Sequence, residues 1–271
     1  TVETSGLLAV AAHLGPTRLI DNCLLHQRDP IVAIDGPAGA GKSTVTRRVA
    51  RELGLLFLDT GAMYRSIAWL ALDRGCDPGD RLALAELVAS SHIDFEANFE
   101  ANFEAADLTE TTADTPSEQS VWLTFDDDRY NVTAAIRTAA VTAQVSTVAA
   151  HPEVRRALVA QQQRLGQRGG LVAEGRDIGT TVFPDAEVKI FLTATPAERA
   201  RRRAQDLAQR GQPVPDLDQL TQEISDRDLQ DSSRTVSPLK KADDAWELVS
   251  DGLTIDQVVQ AILERYRAIV G

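Results

Sequence analysis

IVAIDGPAGAGKSTVTRRVARELG, residues 31–54, is the stretch whose reading decides the fold. IVAID (31–35) is a short apolar, β-branched run ending at a glycine, the pattern of a parallel strand buried on both faces. The turn GPAGAGK follows at once. In STVTRRVARELG (43–54), Val45, Val49 and Leu53 recur at helical spacing and Gly54 is placed to cap the helix C-terminus. LLFLDT (55–60) then reads as a second buried strand. Strand, loop, helix and strand in that order open a doubly wound α/β fold.

The turn itself satisfies GxxxxGK[ST] in full: Gly36, Pro37, Ala38, Gly39, Ala40, Gly41, Lys42 and Ser43, with Thr44 after it. Glycine lets successive backbone N–H groups turn inward around a phosphate without a Cβ in the way. The helix N-terminus adds partial positive charge. Such a loop predicts ATP or GTP binding, with Lys42 on the β- and γ-phosphates and the Ser43 hydroxyl on the Mg2+ that bridges them. A glycine-rich turn of purely structural purpose is the competing reading, and the strand before and helix after the motif weigh against it.

Further along, GLVAEG (170–175) and EVKIFLTA (187–194) read as buried strands joined by the loop RDIGTTVFPDA. LTIDQVVQAILERYRAIV (253–270) has the periodicity of an amphipathic helix with Thr254 as N-cap. Residues from about 80 to 130 are acidic and polar and read as a surface insertion. The tandem FEANFEANFEAAD (95–107) within it is too short for a solenoid repeat and reads as a local expansion with no chemical role. VWLTF (121–125) with Asp126, Asp127 and Asp128 reads as a strand and turn; an acidic metal loop is the alternative, although EF-hand spacing and glycine are missing.

With 271 residues, the chain fits one core carrying inserted lobes. Hydrophobic residues make up 43% and charged residues 25%, which excludes a disordered chain. The net charge of -12 argues against broad attraction to nucleic acid or an anionic membrane, so a phosphate site must be locally cationic. Two cysteines, Cys23 and Cys76, form neither a CxxC pair nor a disulfide framework, as expected in a reducing cytoplasm. GLLAVAAHLG (6–15) is preceded by Glu3 rather than by basic residues, unlike a secretory signal, and no run reaches the roughly 18 apolar residues of a spanning helix. No asparagine is followed by lysine, so the guanine-reading NKxD of a regulatory GTPase is missing. Small-molecule kinases remain.

IDGPAGAGKST followed by LDTGAMYR, then VRRAL, EGRDIGT, PDAEVKIFLTA and DRDLQDSSR, resembles bacterial cytidylate kinase in content and order from about residue 30 to 271. The resemblance implies a P-loop nucleoside-monophosphate kinase: a parallel sheet core flanked by helices, with an inserted acceptor-binding lobe at about 60–153 and a lid at about 199–215. It implies transfer of the terminal phosphate of ATP, with Mg2+, to CMP or dCMP, by a monomeric kinase domain in the cytoplasm. By motif, Thr60, Tyr64 and Arg65 form the entrance of the acceptor site, with Arg65 on the acceptor phosphate; the start of a surface helix is the alternative for Arg65. Ser146 and Arg155 match positions at which the family reads the cytosine edge, and each alone looks like an ordinary helix residue. Arg176 is implied to hold the acceptor phosphate and Asp177 to accept from the cytosine amino group, which uracil lacks; a simple Arg176–Asp177 pair competes. Glu174 is implied to order the water shell of Mg2+.

Arg227 and Asp231 are implied to grip the ribose hydroxyls and Arg234 the transferring phosphate, with a mere i,i+4 bridge between Arg227 and Asp231 as competitor. Some relatives have an arginine where Gln230 stands. Arg199, Arg201, Arg202 and Arg203, with Arg210 beyond, resemble the lid that closes over ATP, and Arg202 is assigned to the nucleotide; a solvated helix face is the bland reading. The resemblance thus implies that Lys42, Arg65, Arg176 and Arg234 carry the transfer. Residues 1–29 fall outside this pattern: GLLAVAA and TRLIDN resemble the final strand-and-helix segment of pantoate–β-alanine ligase, which implies the kinase end of a fused protein, against the alternative of a leader arm native to the kinase. Two other functions stay open, a related kinase for UMP, AMP or a small alcohol, and a nucleotide-binding module that has lost transfer.

Overall fold

The computed structural model describes residues 5–15, 17–26, 28–97, 119–209, 211–234 and 236–271. A hairpin of β1 (Ser5–Leu14) and β2 (Thr17–His26) comes first, the two strands pairing antiparallel along their whole length. TRLIDNCLL is therefore strand, which corrects the strand-and-helix expectation for this segment. β1 and β2 form a two-stranded sheet of their own.

β3 (Ile31–Asp35), α1 (Lys42–Leu53) and β4 (Leu56–Asp59) follow as the opening motif predicts. Gly54 ends α1 with φ 66°, a left-handed cap that costs a residue without Cβ nothing. Next come α2 (Thr60–Asp73), α3 (Arg81–Ala89), β5 (Ser91–Ala97), β6 (Gln119–Phe125), β7 (Asp128–Asn131), α4 (Ala139–Ala150) and α5 (Pro152–Leu165). The chain closes with β8 (Leu171–Gly175), β9 (Val188–Thr193), α6 (Pro196–Gln209), α7 (Leu217–Ser232), β10 (Trp246–Val249) and α8 (Ile255–Val270). Thr254 caps α8 in a reciprocal box with Gln257. Among the described residues no helix is long and apolar enough to cross a membrane.

The main sheet runs β10-β9-β3-β8-β4 and every pairing in it is parallel. β3 shows why its sequence is apolar throughout. Val32 and Ile34 pack with Val45, Val49 and the α8 residues Val258 and Ile262 on one face, while Ile31 and Ala33 pack with Leu58, Ile178 and Phe183 on the other. A strand with helices or turns on both faces has no side left for polar residues.

The segment between β4 and β8 builds its own core, in which Met63, Ile67, Leu70, Leu84, Leu123 and Leu158 are fully buried. Residues 80–97 and 119–130, the described parts of the acidic 80–130 stretch, thus belong to a packed lobe rather than bare surface. β6 alternates buried and half-buried residues along its length, as a strand with one face on a core must. Asp126 (φ 49°) and Asp127 (φ 67°) make the two-residue turn from β6 to β7, the left-handed geometry that closes tight hairpins. Among the described residues there is no group of three acidic, histidine or cysteine side chains placed to hold a metal ion. Phe95–Ala97 of the FEAN tandem lie in β5; the rest of the tandem lies outside the described residues. Gln119 ties the lobe to β4 by donating to the Phe57 carbonyl at 2.6 Å, and Gln161 of α5 braces it internally by donating to the Ser91 carbonyl of β5 at 2.9 Å.

Candidate active site

The phosphate loop begins where β3 ends. A Cβ on Gly36 would stand 2.0 Å from the Leu192 carbonyl oxygen, so only glycine lets the chain leave the sheet there. Lys42, the first residue of α1, donates to the carbonyls of Gly36 and Pro37, both at 2.8 Å, and its ammonium lies folded back over the loop. Burial, then the nearby Arg176 charge, lower its pKa to about 8.

Two cavities meet at this loop. The first, of about 280 Å³, is lined by Thr60, Tyr64 and Arg65 from α2, and by Ser146 and Arg155 from α4 and α5. Glu174, Arg176 and Asp177 enter it from the end of β8, Arg227 and Arg234 from α7 and the residues after it. The second, of about 690 Å³, lies between the loop, α6 and α7, with Thr44, Arg202 and Arg203 in its wall. Ala38, Gly39, Lys42, Ser43 and Arg227 border both. Five segments that the sequence keeps far apart therefore converge on one seam.

The partners of the charged residues decide among the alternatives left open above. Asp177 pairs with Arg155, whose guanidinium is buried and lies 5.4 Å over the Tyr64 ring; Arg176 pairs with Asp231. The expected competitor, an Arg176–Asp177 pair, is thus not the arrangement. Neither is the Arg227–Asp231 bridge: Asp231 is buried between Arg176 and Arg234, the latter at 2.6 Å, and does not line the cavity. Arg227 keeps a buried Nε without a hydrogen-bond partner. Arg65 belongs to a helix start, as its alternative reading had it, yet donates to Asp59 at 2.8 Å and faces the cavity. Asp59 also caps α2 through the Ala62 N–H. Thr60 donates to the Glu174 carbonyl at 2.7 Å, joining α2 to β8.

Six cations, Lys42, Arg65, Arg155, Arg176, Arg227 and Arg234, crowd the smaller cavity of a chain whose net charge is -12. Burial holds the Arg227 and Arg234 pKa values below the usual arginine range, and the Arg176 charge adds to this at both. Burying like charges together is costly unless an anion joins them. Glu174 is pushed up to about 7 by burial and by the Asp59 charge, and its Oε2 has no hydrogen-bond partner.

Arg199 lines the larger cavity beside Arg202 and Arg203. It is also buried and donates to the carbonyls of Ala194 at 2.9 Å and Ala38 at 3.0 Å, so it braces the loop as well. Arg201 faces solvent and pairs with Glu198 at 2.8 Å. Arg202 lines the larger cavity while bonded to Glu198 at 2.8 Å and to the Ser250 carbonyl at 2.7 Å. Arg210 lies outside the described residues. Pro37 and Ala40 line neither cavity; Ala40 is buried beneath the loop.

Three residues of this region escape a reading by motif. Asp59 carries the local signal of a helix N-cap. Asp35, pushed up to about 6 by burial, shows only as an acid at the end of an apolar strand. Arg137, from a 3-10 turn (Ala135–Arg137), has its pKa lowered by partial burial and raised by Asp59, and has no sequence signal.

Residues 32–268 match the family described as cytidylate kinase. Relatives named bifunctional pantoate ligase/cytidylate kinase include one from Synechococcus elongatus, 57% identical over 266 residues that cover 98% of this chain and 47% of the relative. One from Synechococcus sp. (strain RCC307) is 58% identical, covering 98% and 48%, and one from Nostoc sp. is 54% identical, covering 98% and 46%. The chain spans about half the length of these relatives. Its phosphate loop, its parallel sheet and the match over nearly its whole length place this chain in the cytidylate kinase family.

Proposed function

We propose that this chain transfers the γ-phosphate of ATP to CMP or dCMP, giving CDP or dCDP. The observation that carries the proposal is the seam: a phosphate loop bordered on one side by a large cavity for the donor and on the other by a small, arginine-lined cavity for an acceptor phosphate.

ATP occupies the larger cavity, with its phosphates on the 36–43 backbone and on Lys42, and Arg202 beside them. The acceptor phosphate sits among Arg65, Arg176 and Arg234, and its anion relieves the repulsion that these cations exert on one another. An oxygen of that phosphate attacks the γ-phosphorus in line, and the bond to the β-bridging oxygen breaks. A phosphate monoester is already largely dianionic at neutral pH, so no general base is needed. Lys42, Arg65, Arg176 and Arg234 stabilise the charge that spreads over the transferred group.

Ser43 and Glu174 fit a cation brought in with the nucleotide: a hydroxyl and a buried carboxyl with one free oxygen, too few ligands for a protein-only metal cage. Ser43 and Glu174 would hold a magnesium ion there, which would supply positive charge to the donor phosphates. On the base side, Asp177 accepts from the cytosine amino group, with Ser146, Arg155 and Tyr64 around the ring. Arg227 reaches the ribose, and Asp231 acts there only through Arg176 and Arg234. Residues of about 60–153 form the acceptor-binding lobe and about 199–215 the lid of a kinase domain covering 30–271, monomeric and cytoplasmic. Residues 1–29 belong to the end of a pantoate–β-alanine ligase half, supported by their resemblance and by the names of the relatives.

The deciding experiment measures acceptor-dependent ADP release with CMP, dCMP, UMP and AMP. CMP and dCMP are expected to give the highest kcat/KM. A preference for UMP or AMP, or ADP release that ignores the acceptor, overturns the proposal.

A further inference from the structure

Asp35 lines neither cavity and takes no part in the transfer described above, yet both oxygens of its buried carboxylate are engaged by backbone N–H groups near the seam. It ends β3 and is 5% exposed. Oδ1 accepts from the Ile178 N–H at 2.8 Å and Oδ2 from the Gly179 N–H at 2.7 Å.

The position of those two N–H groups gives the contact its meaning. β3 and β8 pair in register up to Asp35 and Gly175, where β8 ends. The chain then delivers Arg176 and Asp177 and winds into a π-helical turn, Ile178–Val182, a form that is rare and concentrated at functional sites. The first N–H groups of any helical turn have no partner within it. No side chain of the turn's own N-cap, Asp177, supplies one. Asp35 supplies two from another strand and leaves the Asp177 carboxylate free to pair with Arg155. The seat is close: a Cβ on Gly179 would lie 3.4 Å from Asp35 Oδ2 and 3.3 Å from the Lys189 side chain. Asp35 is also the residue before Gly36, whose carbonyl holds Lys42.

We propose that Asp35 is a positioning residue for the acceptor: its carboxylate fixes the turn that aims Arg176 and Asp177, and it locks that turn to the phosphate loop as one unit. The proposal rests on the acceptor reading above. If the turn loosens, the residues that meet the acceptor lose their aim, while the backbone that meets ATP keeps its own bonds.

The test is Asp35→Asn, which keeps the shape and one acceptor oxygen but sets an NH2 group against the second N–H. KM for CMP is expected to rise at least tenfold, KM for ATP to change less than threefold, and the CMP-to-UMP ratio of kcat/KM to narrow. Equal rises in both KM values, or an unchanged ratio in a folded protein, would mean that Asp35 serves stability alone. If the variant does not fold, Gly179→Ala presses on the same contact from the other side. It is expected to raise KM for CMP selectively, and unchanged acceptor kinetics there overturn the inference. Wild-type protein that shows no CMP-dependent ADP release refutes the acceptor reading instead.

Discussion

Arg199 and Asp228 form a two-pronged ion pair between α6 and α7, and the same guanidinium holds the Ala38 carbonyl of the phosphate loop. One buried side chain thus ties together a sheet end, the loop and the helix that presents Arg227 and leads to Arg234. Arg199→Ala is expected to cost roughly 3 kcal/mol, because a mostly buried carboxylate is left without its partner. Urea denaturation measures this; a loss under about 1 kcal/mol would show that the brace is dispensable.

Lys42→Ala is expected to lower turnover by at least about a hundredfold with little change in stability, since the lysine acts on phosphate charge. A variant retaining more than a tenth of wild-type turnover would remove the loop from the chemistry. Because the Lys42 pKa in the nucleotide-free protein is about 8, the charge that meets ATP fades above that pH. KM for ATP should climb from pH 8 to 9; a flat profile speaks against the role.

Asp35 and Glu174 give the nucleotide-free protein an unusual pH dependence. Their pKa values are raised, to about 6 and about 7, so the folded protein keeps protons that the unfolded chain has released. Stability contributed by these groups therefore falls as pH rises from about 4 to about 7, the reverse of a carboxylate held by a salt bridge. Glu174→Gln removes one of the two. It should raise the thermal midpoint at pH 7.5 while depressing turnover, and a lowered midpoint would contradict the burial penalty assigned to Glu174.

Asp177→Asn should narrow the preference for CMP over UMP, because UMP makes no bond through an amino group. The loss on CMP is expected at about 1.5–3 kcal/mol of transition-state binding. The Arg155 pair adds a second effect: Asp177→Ala strands a buried guanidinium and should destabilise the fold by roughly 3 kcal/mol. Measuring kcat/KM for both acceptors in both proteins separates the two effects. An unchanged ratio in Asp177→Asn would exclude base reading by this residue.

Deleting residues 1–25 should leave kinase turnover within about twofold and stability nearly unchanged, since β1 and β2 make their own two-stranded sheet. Arg28 must stay, because it bridges Asp185 at 3.0 Å and Glu187 at 3.6 Å. A large loss of turnover in a folded deletion would make the hairpin part of the kinase.

The sheet and the phosphate loop were legible because their signals are local: an apolar run buried on both faces, then glycines where no Cβ fits. The acceptor side was legible only through a resemblance. Ser146 and Arg155 stand on helices with no period or spacing to mark them; what sets them apart is a place in the wall of the smaller cavity, and for Arg155 a pairing with Asp177 over the Tyr64 ring, that the chain reaches only through tertiary packing. Arg199 shows the limit from the other direction. A run of arginines looks uniform in sequence, but the helical turn sends Arg199 inward and Arg201 outward. The β1–β2 hairpin departs from the strand-and-helix segment that the resemblance implied for TRLIDNCLL, which pairs with β1 along its length instead.

The place of β3 in the sheet bears on how the chain reaches its native state. It is the first core strand to be made, yet both of its neighbours come much later, and the bond from Ile178 to Asp35 closes a loop of 143 residues. During synthesis its two edges and two apolar faces wait unpaired until β8 and β9 emerge. Local helices and the lobe between β4 and β8 can form in that interval; the nucleotide-binding half cannot. Assembly of this half is governed by distant closure, the slow regime of folding, and a chaperone that shields Ile31–Asp35 early would act on the step that limits the yield of active protein.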